Sequence, residues 1–361
     1  MNHFRTLLTI ALLMLALNGC LDIPERCGMD YEMTEYELWS LDLNDFSTSE
    51  VYRWEARDMY DGYSTRFEIY GISPDESSLY YTDDYTSGNV RLYELNLDDR
   101  STQFIKTFED SRDFTLSPSG NLLAFQKEST VWISDVSGKN QQKLLERDSL
   151  QYFGAPKWYL NDDKLVVSHS RFNSDQGMWL LDVKDSTYSI ISDVASTNYD
   201  LTNDGSGIVL QGSEPSEASL IQYKPIFSDG LITLHEGTSP VFIDNGSSVV
   251  FEKLEGLYKS DLNGELNKIH NKQGVGGSLS RNGKVSVSPN SQTLAYADLE
   301  GLYIYQAKSD RVLYTLNSDT FLPLNMQSWS SINIDLFEIS FSSDNEKVYF
   351  MMKRNFFSDG C

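Results

Sequence analysis

The chain has 361 residues, with 53 acidic against 29 basic side chains, 40% hydrophobic residues and three cysteines. That hydrophobic fraction excludes an intrinsically disordered chain. A formal charge of −24 argues against nucleic acid as a partner, because phosphate-binding proteins carry a basic face, and three cysteines are too few for a scaffold built on disulfides.

The first element is a leader. Arg5 precedes an apolar run from Thr6 to Leu17, and Asn18-Gly19-Cys20 follows. One positive charge, a short hydrophobic core and small residues form the layout of a secretory signal. A run of about 12 residues makes about 18 Å of helix, too short for a hydrocarbon core of about 30 Å. Leu17-Asn18-Gly19-Cys20 resembles a bacterial lipobox. The resemblance implies cleavage after residue 19 and lipidation of Cys20, so that the membrane is met through the acyl chains alone. Each buried CH₂ contributes about 0.8 kcal/mol to attachment. Leu21, not Asp, follows the cysteine, which by the same resemblance implies the outer membrane of the cell envelope. Residues 20–35 are expected to form a tether.

Beyond the tether, turn-forming tetrads recur. They are Ser73-Pro74-Asp75-Glu76, Ser117-Pro118-Ser119-Gly120, Leu160-Asn161-Asp162-Asp163, Thr202-Asn203-Asp204-Gly205, Ile243-Asp244-Asn245-Gly246, Ser288-Pro289-Asn290-Ser291 and Ser342-Ser343-Asp344-Asn345. Successive tetrads begin 44, 43, 42, 41, 45 and 54 residues apart. Pro, Asn, Asp and Gly set or tolerate the dihedrals of tight turns. An alternating segment precedes each tetrad, and a short apolar run follows, as in Leu122-Leu123-Ala124-Phe125. The tetrad therefore reads as a hairpin turn. A third element, aromatic-x-x-Asp, follows at Trp132–Asp135, Trp179–Asp182 and Tyr258–Asp261, and a fourth short strand leads into the next repeat. The fourth repeat lacks this element near Ile221 to Pro225.

Four antiparallel strands per unit of about 43 residues predict an all-β seven-bladed β-propeller. The last tetrad lacks third and fourth strands on its C-terminal side. Trp39-Ser40-Leu41-Asp42 and Val51-Tyr52-Arg53-Trp54 supply them from the N-terminal side. The expected domain, residues 36–361, thus closes by completing its last blade with N-terminal strands, which removes a raw sheet edge.

Ser117-Pro118-Ser119-Gly120 with Leu123-Ala124-Phe125, and Ser288-Pro289 with Leu294-Ala295-Tyr296, resemble the repeats of TolB-type propellers. The resemblance covers roughly residues 36–353. It implies the fold, and leaves activity open because such rings serve many functions.

With Cys20 lipidated, Cys27 and Cys361 remain. Both flank the gap in the ring. In an oxidising compartment they are expected to form a disulfide closing a loop of more than 300 residues, for which chain entropy predicts several kcal/mol. The alternative is two free thiols.

Strand periodicity turns alternate residues of each innermost strand toward the central channel. Among them Asp113, Trp158, Asp200, Lys284 and Glu338 form a candidate polar-ligand or cation site. A solvated channel wall is the plainer reading. The histidines of the mature chain, His169, His235 and His270, fall in three repeats without metal-ligand spacing and read as surface residues. There is no Gly-x-Ser-x-Gly elbow. Neither a cofactor nor a metal is therefore expected. The acidic pairs Asp83-Asp84, Asp98-Asp99 and Asp162-Asp163 read as solvated turns rather than Ca²⁺ loops.

The interval before the last tetrad is about 11 residues longer than the others. Its extra segment carries Phe321, Leu324, Met326 and Trp329. Long apolar loops are often functional, so this one is a candidate partner-binding loop, with folding back over the blade as the alternative. Taken together, the sequence points to a non-enzymatic binding or scaffolding module with a protein partner in the envelope. The competing readings are a carbohydrate- or peptide-acting hydrolase or lyase using Asp113, Asp200 and Glu338, and a small-ligand sensor.

Overall fold

Seven four-stranded antiparallel sheets form a ring in the computed structural model, which describes residues 31–54, 66–86, 89–146, 149–171, 176–213, 219–271, 285–322 and 331–358. Blades 1 to 6 occupy residues 66–109, 111–143, 151–192, 199–236, 238–271 and 285–317. Each runs from an innermost strand outward in chain order. The expected β-propeller is present. The fourth blade keeps its third strand, Ser219–Pro225, despite lacking the aromatic-x-x-Asp element.

Blade 7 joins the chain ends. Its sheet order is Thr48–Trp54, Tyr31–Asp42, Lys347–Ser358, Ser331–Phe341. Trp39 pairs with Phe350 and Leu41 with Val348. The N-terminal strand starts at Tyr31, inside the stretch expected to be tether.

The repeated tetrad has a chemical cause. The Ser73 hydroxyl accepts the Ser78 amide at 2.9 Å and donates to Asp75 at 2.6 Å. Ser288 with Asn290 and Ser342 with Asp344 repeat both contacts. A Ser-x-Asp/Asn pair thus satisfies the amides that a tight turn leaves over. The Asp ending the third strand works likewise: Asp135, Asp182 and Asp261 accept amides from the turn leading to the fourth strand. Leu160 departs from the pattern. It turns alone at φ 62°, and Asn161 already pairs with Tyr159.

Among the described residues, seven hydrophobic clusters sit one at each blade junction. A middle strand is therefore covered on both faces, so Leu123-Ala124-Phe125 is a continuous buried run rather than an alternation. His169 is a consequence of the same geometry. It lies in the second strand of blade 3, buried beside Phe153 at 4.8 Å and Trp179 at 4.2 Å, and is not the surface residue expected.

Candidate functional site

The two faces of the ring differ. On the face formed by the tetrads, every junction is bridged by contacts between neighbouring turns. Gly120 lies so close to Pro74 that a Cβ there would sit 2.5 Å from Pro74 Cδ. Asp162 accepts the Ser119 amide and the Ser117 hydroxyl, each at 3.1 Å. Tyr159 donates to the Gly205 carbonyl at 2.8 Å. Gly246 faces Thr202, where an added Cβ would lie 2.7 Å from Thr202 Cγ2. The Asp244 amide donates to Ser291 O at 2.6 Å. Asn290 donates to Asn345 Oδ1 at 2.9 Å, and Asp344 donates to Glu76 at 3.0 Å, which completes the circle. Asn203 also reaches past blade 5 to Pro289 O, at 2.7 Å.

The innermost strands hold the expected channel residues, but a bulge interrupts their alternation. Asp113-Phe114, Ala155-Pro156, Ser239-Pro240 and Glu338-Ile339 each place two residues opposite one. The first residue of each pair is left-handed, with φ of 53°, 48°, 60° and 49°. A bulge re-aims the side chains on either side of it. Pro156 and Ser239, members of two of these bulges, are buried.

The candidate side chains are engaged between blades. Asp200 accepts the Phe242 amide at 2.9 Å from one neighbour and lies 3.3 Å from Lys157 Nζ on the other. Glu338 accepts the Ile69 amide at 3.1 Å across the junction of blades 7 and 1. Trp158 donates its indole N–H to Thr115 O at 3.2 Å. Asp113 is more exposed and stands 4.0 Å from Arg112. The carboxylates divide between two tyrosines. Burial, then Asp200 and Asp113, push the Tyr199 hydroxyl well above the ordinary tyrosine range. Burial, then Glu68, with Glu338 a smaller contributor, do the same to Tyr70. Lys284 lies outside the described residues, as do Cys20, Cys27 and Cys361.

In the long interval, Phe321 ends a short 3-10 helix, Ser318–Phe321. It is buried against Trp39 at 4.9 Å and Phe350 at 6.0 Å, folded back onto blade 7. Leu324, Met326 and Trp329 lie outside the described residues.

The sequence did not single out a polar cleft of about 420 Å³ between blades 1 and 2, on the face away from the tetrads. Glu68, Tyr70, Asp110, Arg112, Gln126 and Glu128 line it. Tyr70 donates to Glu68 at 2.7 Å. The Arg112 guanidinium donates to Gln126 and, at 3.0 Å, to the Tyr152 hydroxyl. These groups could orient a small polar molecule. Among the described residues no three His, Cys, Asp or Glu side chains come together as a metal site. His235 contacts Ser260 at 3.1 Å and His270 contacts Asp298 at 2.9 Å, each at a separate junction. One member of each acidic pair is engaged: Asp83 accepts Arg91 Nε and Nη2, each at 2.7 Å, Asp99 caps the Ser101 amide, and Asp162 takes the Ser119 amide.

This architecture defines the class: a seven-bladed β-propeller whose blades are joined through their turns and inner strands. No protein-family model and no curated protein matches the sequence. Solved structures do match in fold. A TolB from Agrobacterium tumefaciens aligns over 89% of this chain and 98% of its own, with 13% identity and a TM-score of 0.51. An oligogalacturonate lyase from Vibrio parahaemolyticus aligns over 89% and 96%, at 11% identity and a TM-score of 0.59. A puromycin hydrolase aligns over 77% of this chain but 48% of its own, at 12% identity and a TM-score of 0.55. The match to TolB from Acinetobacter baumannii, at 13% identity and a TM-score of 0.48, spans 64% of this chain and 62% of that one. The fold is TolB-like, and identities this low carry no activity across.

Proposed function

We propose that the chain is a lipid-anchored β-propeller of the bacterial envelope, held at the outer membrane through Cys20, and that it acts as a protein-binding or scaffolding module. The observation that carries this reading is the engagement of the channel side chains. Asp200, Glu338 and Trp158 each bond to a neighbouring blade, which makes them parts of the ring's construction. A rigid ring built this way offers its rims and perimeter for contact. The fold shared with TolB is consistent with the reading.

The test has two arms in the native host. Labelling with an alkynyl fatty acid should mark the full chain and not Cys20→Ala. A photo-crosslinking residue placed in turn at exposed rim and perimeter positions should yield one or more discrete products with an envelope protein. An unlabelled full chain or a labelled Cys20→Ala variant in the first arm, or absence of products at every position in the second, would count against the corresponding half of the proposal.

The cleft beside Arg112 favours a second reading, a sensor of a small polar ligand. Thermal stabilisation by a sugar or amino-acid library, lost in Arg112→Ala, would favour it over the first.

A further inference from the structure

Among the described residues, every blade presents one unpaired strand edge at the perimeter, and such an edge invites another chain to pair with it. Six of the seven outer strands carry a charged residue that discourages this. They are Lys106, Lys143, Glu236, Lys268, Arg311 and, in blade 7, Arg53. The outer strand of blade 3, Tyr188–Ser192, reads Tyr-Ser-Ile-Ile-Ser and has none. Nor is it short like the two-residue strand of blade 2.

Its side chains fit the same picture. Tyr188 and Ile190 share a face and are 53% and 65% exposed. A cleft of about 560 Å³ opens beside Ile190, toward blade 4. Ile191 and Ile226 are buried in its floor, and Phe227, 79% exposed, stands at its edge. The edge strand at Ile190 and the exposed Phe227 of the next repeat thus line one concavity, the pattern of a contact site. Its polar margin has a sign. The Lys224 ammonium is held on the chain's own carbonyls, within bonding distance of Ser228 O and 3.1 Å from Pro225 O, and two carboxylates outnumber it. Asp193 and Asp229 remain at the margin, on a chain of net charge −24.

Resting on the protein-binding reading above, we propose that the outer edge of blade 3 receives an extended segment of a partner protein as a fifth strand. The backbone of Tyr188–Ser192 supplies the hydrogen bonds. An alternate apolar side chain of the partner enters the cleft between Ile190 and Phe227, and a basic residue beside it meets Asp193 and Asp229. Main-chain pairing gives affinity in such additions and the pocket gives specificity. A second copy of the chain would bring the same acidic margin to the contact, so a basic partner segment is favoured over self-pairing.

The probe is an end-capped heptapeptide with valine at three alternate positions and lysine at both ends, titrated into the full chain. Binding should protect the amides of Tyr188–Ser192 from hydrogen exchange. Ile190→Lys restores the missing charge, and Phe227→Ser removes the wall; each should weaken binding at least tenfold. Leu254→Lys, at a residue 94% exposed elsewhere, should leave it unchanged. Replacing the lysines of the peptide with glutamates should also weaken it. No binding, protection elsewhere, or an Ile190→Lys variant that binds as before would overturn the proposal. A dimer abolished by Ile190→Lys would overturn it in favour of self-pairing. Photo-crosslinks to an envelope protein from other positions, with none from residues 190 and 227, would overturn the edge site while leaving the protein-binding reading standing. No crosslink from any position would remove both.

Discussion

Arg354 donates from Nη1 to Glu37 Oε1 at 2.8 Å, although 317 residues separate them in the chain. Glu37 is fully buried, and it also accepts Arg53 at 2.8 Å and the Trp39 indole at 2.8 Å. Burial raises the carboxyl pKa, and Trp39, Arg354 and Arg53 oppose that rise. The pair joins the first described strand to the last, at the point where the ring closes. Removing one partner of a buried pair strands the other, at a cost of roughly 3–5 kcal/mol. Glu37→Ala should therefore lower the urea midpoint markedly. Glu37→Met combined with Arg354→Leu should recover most of the loss, and a double variant no better than the single would show that the pair is not a unit.

Acid should loosen the turns. Hydroxyl donors from Ser73, Ser206 and Ser342 hold Asp75, Asp204 and Asp344 below the usual carboxylate range. A carboxyl whose folded pKa is depressed contributes stability above its unfolded value, near 4, and loses it as pH falls through the folded value. Urea midpoints measured from pH 7 down to pH 3 should stay level and then drop below about pH 4. Ser73→Ala with Ser342→Ala should flatten that drop.

Asp200 bridges three blades, so its loss should be felt as stability. Asp200→Ala leaves the Phe242 amide without its carboxylate acceptor, which costs about 1–3 kcal/mol. Asp200→Asn keeps an acceptor oxygen and should cost less. Chemical denaturation of both variants measures the difference. Equal effects from the two would mean that charge, not the hydrogen bond, is what matters there.

Phe321 should behave as core. Phe321→Ala removes a ring packed on Trp39 and Phe350 and should cost roughly 3–5 kcal/mol by calorimetry or urea. A loss under about 1 kcal/mol would mean that blade 7 does not depend on this fold-back.

The ring was legible before any coordinate because its cause is local. Ser73 and Asp75 form their turn within six residues, and the same chemistry returns about every 43. Trp39 was placed by the same logic, since it repeats the motif of the third strand. The channel was less legible. A period-two reading has no way to see the extra residue at Asp113 or Glu338, and each bulge shifts what faces inward. His169 was misread because composition does not say that a second strand is covered on both faces. Nothing local links Glu37 to Arg354. The Ile190–Phe227 cleft joins two repeats, yet half its signal was in plain view: comparing the seven outer strands for charge marks blade 3.

The strand exchange in blade 7 also imposes an order of events. Residues 31–42 pair with residues 347–358, so a chain emerging N-terminus first holds an unsatisfied strand until about 300 further residues have appeared. Long-range pairing of this kind is slow, and an incomplete ring exposes the edges that the finished one hides. A chain cut before Lys347 would lack the strand against which the N-terminal segment lies, and the arrival of residues 347–358 is in effect the step that locks the molecule.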